Sequence, residues 1–174
     1  NTASQITKFN KDLELTELRN RKIRADNLKA QEDQRQIRDD ISLTIDERIK
    51  ANNKLAELLQ KDFEDRDANL KKLLDGAKLQ LETDKENLEF QRIVLDLEAQ
   101  RAELLEEING LESEQQTNRE ALRLEQEELN KQTEETNAKA VETIEVETKL
   151  QGEREITLKD VGKAFGDLST IVGE

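Results

Sequence analysis

The side chains able to do chemistry in this sequence are almost all carboxylates, ammoniums and guanidiniums. It contains no His and no Cys, so nucleophilic catalysis of the Ser-His or Cys-His kind lacks its base. A lysine base or a carboxylate pair needs burial or a shaped cleft to acquire a useful pKa, and a charged, aromatic-poor chain supplies neither. The densest acidic groups are Asp39-Asp40 and the run Glu125, Glu127, Glu128. Hard cations such as Ca²⁺ take oxygen ligands, yet neither group has the spaced loop of an EF-hand, and both read as solvated faces. Four positive charges, Arg19, Arg21, Lys22 and Arg24, lie within six residues. On a helix they spread around more than one face and have Glu17 and Asp26 as neighbours, which favours a solvated surface over nucleic-acid binding. Gly162 and Gly166 form a GxxxG but no phosphate-binding loop. No enzyme activity, catalytic residue, cofactor, metal or small-molecule substrate is expected.

The elements that carry these charges follow from composition. Charged residues make up 40% of the chain, apolar residues 33% and aromatics 2%, with no Pro, Met, Trp or Tyr. The four aromatics are Phe9, Phe63, Phe90 and Phe165. Helix formers dominate, the pattern of a coiled coil or long helix rather than of a globular domain. The net charge of −13 also fits disorder, but Leu and Ile recur at helical spacing and Pro is absent, so helix is the better reading. Residues 1–50 carry 11 basic and 10 acidic side chains, against 17 and 31 in the remaining 124. No apolar run reaches the ~20 residues of a membrane span, and no signal peptide opens the chain. The start at Asn1 and the end at Glu174 read as those of an interior piece of a longer protein.

Phe90, Leu97, Leu104, Leu111 and Asn118 repeat every seven residues. Interleaved with them run Val94, Arg101, Ile108, Gln115, Leu122 and Leu129. Together they give the alternation of heptad a and d positions, which predicts a left-handed supercoil with a partner helix. The candidate oligomer seam is therefore Phe90, Val94, Leu97, Leu104, Ile108, Leu111, Leu122 and Leu129, with Arg101, Gln115 and Asn118 as polar residues that set register. Upstream, Ile37, Ile41, Ile45 and Ile49 repeat every four residues and drift around the helix. Leu55, Leu59, Leu70, Leu73 and Ala77 recover a stripe, and downstream of Leu129 the seam thins to Thr136, Thr143, Val146 and Leu150. Acid-to-base pairs four residues apart, among them Glu57/Lys61, Asp67/Lys71 and Glu127/Lys131, each add ~0.2 to 0.5 kcal/mol to a helix.

The fold class expected is all-α: a long coiled-coil rod, with a parallel oligomeric bundle favoured over an antiparallel helical hairpin. Residues 1–151 form the rod, with a thin seam over 130–149. Asp75-Gly76 is a turn-type dipeptide, and whether it closes a hairpin stays open. At Asn109-Gly110 the heptad runs in phase, which favours continuous helix. Residues 152–174 form a short amphipathic helix whose Val161, Ala164, Phe165, Leu168 and Ile171 share a face. Strand number is not readable from so mixed a seam.

The residues Leu158-Lys159-Asp160-Val161-Gly162-Lys163-Ala164-Phe165-Gly166-Asp167-Leu168-Ser169-Thr170-Ile171-Val172-Gly173-Glu174 resemble a segment of bacteriophage tail tape-measure proteins. There a charged coiled coil runs into a phrase of the type A-[LF]-G-x-L-S-x-[IL]-x-G-E, followed by a Gly/Ala-rich apolar region. The match covers the last 17 residues; the rod itself resembles the arms of SMC-type proteins equally well. The tape-measure resemblance implies a virion structural protein, a homo-oligomer of three chains. It would fill the lumen of the phage tail tube against the tube protein, set tube length, and leave before the genome is ejected. A continuous helix of this length would span roughly 260 Å. The alternatives are an SMC-like or scaffold coiled-coil spacer, with a cytoplasmic location, and a chaperone-like helical-hairpin clamp.

Overall fold

The computed structural model describes the backbone of residues 2–171 and the side chains of residues 2–163. Among the described residues there is no strand. Three helices follow one another: α1 (Thr2–Asp39), α2 (Ile45–Thr83) and α3 (Leu88–Ile171). The chain divides into two compact units, Asn1–Glu125 and Gln126–Glu174.

The first unit is a three-helix bundle. Contacts from α1 to α2 run in opposite senses: Asn20 meets Arg66 and Asn69, Asn27 meets Asp62, and Arg48 reaches the carbonyl of Arg38. The same holds from α2 to α3, where Lys78 pairs with Glu98 and Arg48 with Glu125. Between α1 and α3 the numbers rise together, from Glu17 with Gln100 to Arg38 with Glu114. Thus α2 is antiparallel to both of its neighbours, and α1 and α3 run the same way.

Over residues 1–125 the chain is not one continuous rod, because it reverses at 40–44 and again at 84–87 rather than near 75–76. Both reversals are written in capping side chains rather than in glycine. In the first, Asp40 Oδ1 accepts from the Ser42 amide and hydroxyl, and α2 then starts on a capping box. Thr44 receives the Glu47 amide, while the Glu47 carboxylate receives the Thr44 amide. In the second, Asp84 N–H closes onto Gln80, and Asn87 Oδ1 accepts from the Phe90 amide at 3.2 Å, the geometry of an N-cap. Helix α2 runs straight through Asp75-Gly76, and α3 through Asn109-Gly110. The four-residue isoleucine repeat spans the first turn, where Ile41 is 86% exposed.

The core explains why the helices close. Leu70, Leu73, Leu74 and Ala77 of α2 pack on Phe90, Ile93, Val94, Leu97 and Leu104 of α3. Ile6, Phe9 and Leu13 of α1 cover this cluster, and Phe9 meets Phe90 edge-on with ring centroids 5.4 Å apart. A second cluster joins Leu55 and Leu59 to Ile108, flanked by Phe63 and Leu111. Beyond Leu13, α1 contributes mainly polar contacts, and its buried residues are Thr16, Gln31 and Arg38.

In the second unit, described as helix to Ile171, the side chains of residues 127–163 are all exposed. Of the expected C-terminal helical face, Val161 lies here on helix and is exposed, whereas the side chains of Ala164, Phe165, Leu168 and Ile171 lie outside the described residues.

Candidate interaction surfaces

The heptad residues of α3 face their own chain. Phe90, Val94, Leu97, Leu104, Ile108 and Leu122 are buried, and Leu111 is half-buried against the Leu55–Leu59 cluster. Leu129, the last of the set, belongs to the second unit and is exposed. The three polar members have different surroundings. Arg101 grips Asp67 of α2 through two hydrogen bonds, 2.7 and 2.9 Å. Gln115 is buried with its Oε1 unpartnered. Asn118 is half-buried.

Arginines hold the helices together where apolar side chains are scarce. Arg66 of α2 sits between Asp62, at 3.2 Å on its own helix, and Glu107 of α3, at 3.1 Å. Arg24 of α1 adds a longer contact, 3.5 Å, to the same Glu107 carboxylate. Arg38 closes the far end of α1: it donates to Asp39 at 2.7 and 2.9 Å and approaches Glu114 at 3.7 Å. A guanidinium suits this work because its planar fork stays charged and meets carboxylates two bonds at a time. The Arg38 bond holds the Asp39 carboxyl below its ordinary value, and the Ser42 hydroxyl does the same for Asp40. Both carboxylates of the Asp39-Asp40 pair therefore have partners within the turn. Glu125, from the other acidic run, takes Arg48 at 2.6 Å.

Asn52, on α2, is fully buried, and neither its Oδ1 nor its Nδ2 has a partner. Near Gln115 a groove of about 390 Å³ opens between α2 and α3, with Leu59, Ile108, Gln115 and Arg119 in its walls. The basic cluster stays on the surface of α1, where Lys22 bonds Asp26 and Arg24 reaches Glu107. Among the described residues no group of three or more His, Cys, Asp or Glu is placed to hold a metal ion, and no helix is long and apolar enough to cross a membrane.

Sequence reasoning missed one feature of the second unit. Taking positions four and three apart from Leu129, one face continues through Thr133, Thr136, Ala140 and Thr143. It then passes Glu147, Leu150, Arg154, Thr157 and Val161. Leu129, Leu150 and Val161 are 43%, 51% and 46% exposed. The threonine hydroxyls at 133, 136, 143 and 157 each donate to the carbonyl four residues back, at 2.8 to 2.9 Å. Their hydrogen-bonding need is met within the helix, so the stripe is less polar than its residue types indicate. The signal in the sequence was the threonine spacing, which reads as a thinning seam until the hydroxyls are seen to be satisfied.

Comparison of the chain with protein-family models, with curated proteins and with solved structures finds no match.

Proposed function

We propose that this chain is a non-enzymatic helical spacer, a scaffold segment that holds attached parts at a set distance. The supporting observation is the division of labour along α3. Its residues 90–122 spend their apolar face inside a closed three-helix bundle, while from Glu127 to Lys163 every side chain is exposed on unbroken helix. The first unit has a filled core of its own, and within the second a charged helix rising ~1.5 Å per residue has a defined length. An open-armed clamp is less well supported, because α1 and α2 pack directly on each other and α3 closes over both.

The test is a distance. The chain contains no cysteine, so Asn130→Cys with Lys159→Cys places two spin labels and no others. Measured in an excess of unlabelled chain, the labels should give a narrow distribution centred at about 44 Å, the rise of the intervening helix. A broad, shorter distribution would reject a spacer.

The resemblance of Leu158–Glu174 to tape-measure proteins supports a more specific second reading: a tail-length ruler in the virion, lying in the lumen of the tail tube. Deleting 14 residues between 126 and 151 from the protein should then shorten the tail by about 21 Å. An unchanged tail would remove the ruler reading.

A further inference from the structure

The stripe of the second unit carries two charges among its apolar and threonine positions, Glu147 and Arg154, seven residues apart on the same face. Among the described residues neither has an ion-pair partner, whereas Lys22, Lys29 and Arg66 do pair four residues along their own helices. We propose that this helix pairs with the same segment of a second copy of the chain, antiparallel and centred close to Gly152, with Glu147 of each copy one layer from Arg154 of the other.

The argument is one of charge and size. In a parallel, in-register pair every residue at a seam position meets itself. Glu147 would oppose Glu147 and Arg154 would oppose Arg154, and like charges brought together in a desolvated seam are unfavourable. Thr143 would also meet only itself. Reversing one helix about Gly152 removes both difficulties. Thr143 then lies opposite Val161, Leu150 opposite the stem of Arg154, and each Glu147 lies one layer from the partner's Arg154. The guanidinium and carboxylate have the reach to close that gap. The threonine hydroxyls, already bonded to their own helix, are not orphaned when covered. The proposal stands on this helix alone and does not require the spacer reading.

Orientation is read directly by cysteine exchange in the full chain. Thr143→Cys and Val161→Cys are prepared as separate variants, reduced, mixed at micromolar concentration and oxidised. Both sites are exposed in the single chain, so helicity should be unchanged. The expected product is the mixed disulfide between the two variants, from a species whose mass by light scattering is that of a dimer. Disulfides formed only within each variant, a trimeric mass, or a monomer that does not cross-link would each overturn the proposal. A charge test adds an independent readout. Glu147→Arg alone should weaken the dimer roughly tenfold, and Glu147→Arg with Arg154→Glu should restore it. In a parallel pair the single reversal merely exchanges one like-charge contact for another, so equal dimer strength in all three proteins would also refute the antiparallel register.

Discussion

Arg101 of α3 and Asp67 of α2 are joined by two parallel hydrogen bonds, Nε to Oδ1 at 2.7 Å and Nη2 to Oδ2 at 2.9 Å. The pair ties the two helices at one level, because the fork meets the carboxylate with two bonds at once. The Asp67 bond also raises the guanidinium above its ordinary pKa, although a guanidinium is charged at any working pH without it.

Removing either partner should therefore cost stability without abolishing the bundle. Both side chains are partly exposed, at 33% and 24%, so solvent screening limits the gain. A double-mutant cycle with Arg101→Ala and Asp67→Ala, followed by urea unfolding, should give a coupling of about 1 kcal/mol. A coupling indistinguishable from zero would mean that apolar packing alone sets the α2–α3 level.

Two helical glycines should respond oppositely to alanine. A Cβ at Gly110 meets nothing within 4 Å, so Gly110→Ala should stabilise by about 0.5 to 1 kcal/mol through helix propensity. A Cβ at Gly76 would lie 3.3 Å from Phe9 Cζ, on a ring already fixed edge-on against Phe90. Gly76→Ala should gain less than Gly110→Ala, or lose. Equal rises in the urea midpoint would show that Phe9 does not hold its place in the core.

The first turn should lose strength in acid. The Glu47 carboxyl is held below its ordinary value of 4.5 by hydrogen bonds from the Thr44 amide and hydroxyl. A depressed folded value means that its contribution is present above the unfolded pKa and disappears as the pH falls through the folded one. Asp40, lowered by the Ser42 hydroxyl and amide, acts in the same direction. Glu47→Gln keeps the shape of the capping box but not its charge. Its melting temperature should lie below that of the parent at pH 7 and converge with it as the pH falls through the lowered folded-state pKa, below the ordinary value of 4.5. A constant offset across that range would argue that the charge is immaterial.

Helix content, the absence of strands among the described residues and the apolar face of α3 all follow from local rules. Glu, Lys, Leu, Gln and Ala favour helix wherever they sit, and Leu97, Leu104 and Ile108 at heptad spacing must be covered by something. What covers them is a different question. Periodicity is the same whether the neighbour is a second chain or an earlier stretch of the same one. The reversals at 40–44 and 84–87 decided it, the second by turning Leu55 and Leu59 towards Ile108. The sequence does contain the first turn, as Asp40, Ser42, Thr44 and Glu47, but a capping box also fits the start of a helix that follows a mere kink. The second turn was harder still. It uses Asp84 and Asn87 with no glycine, while Asp75-Gly76, the stronger turn signal, stays helical and lies where Phe9 comes close to α2. By itself, then, the sequence determined that the chain is helical and which faces are apolar. Only the tertiary structure decided which helix each face meets, because burial is a property of pairs of segments and no single segment carries it.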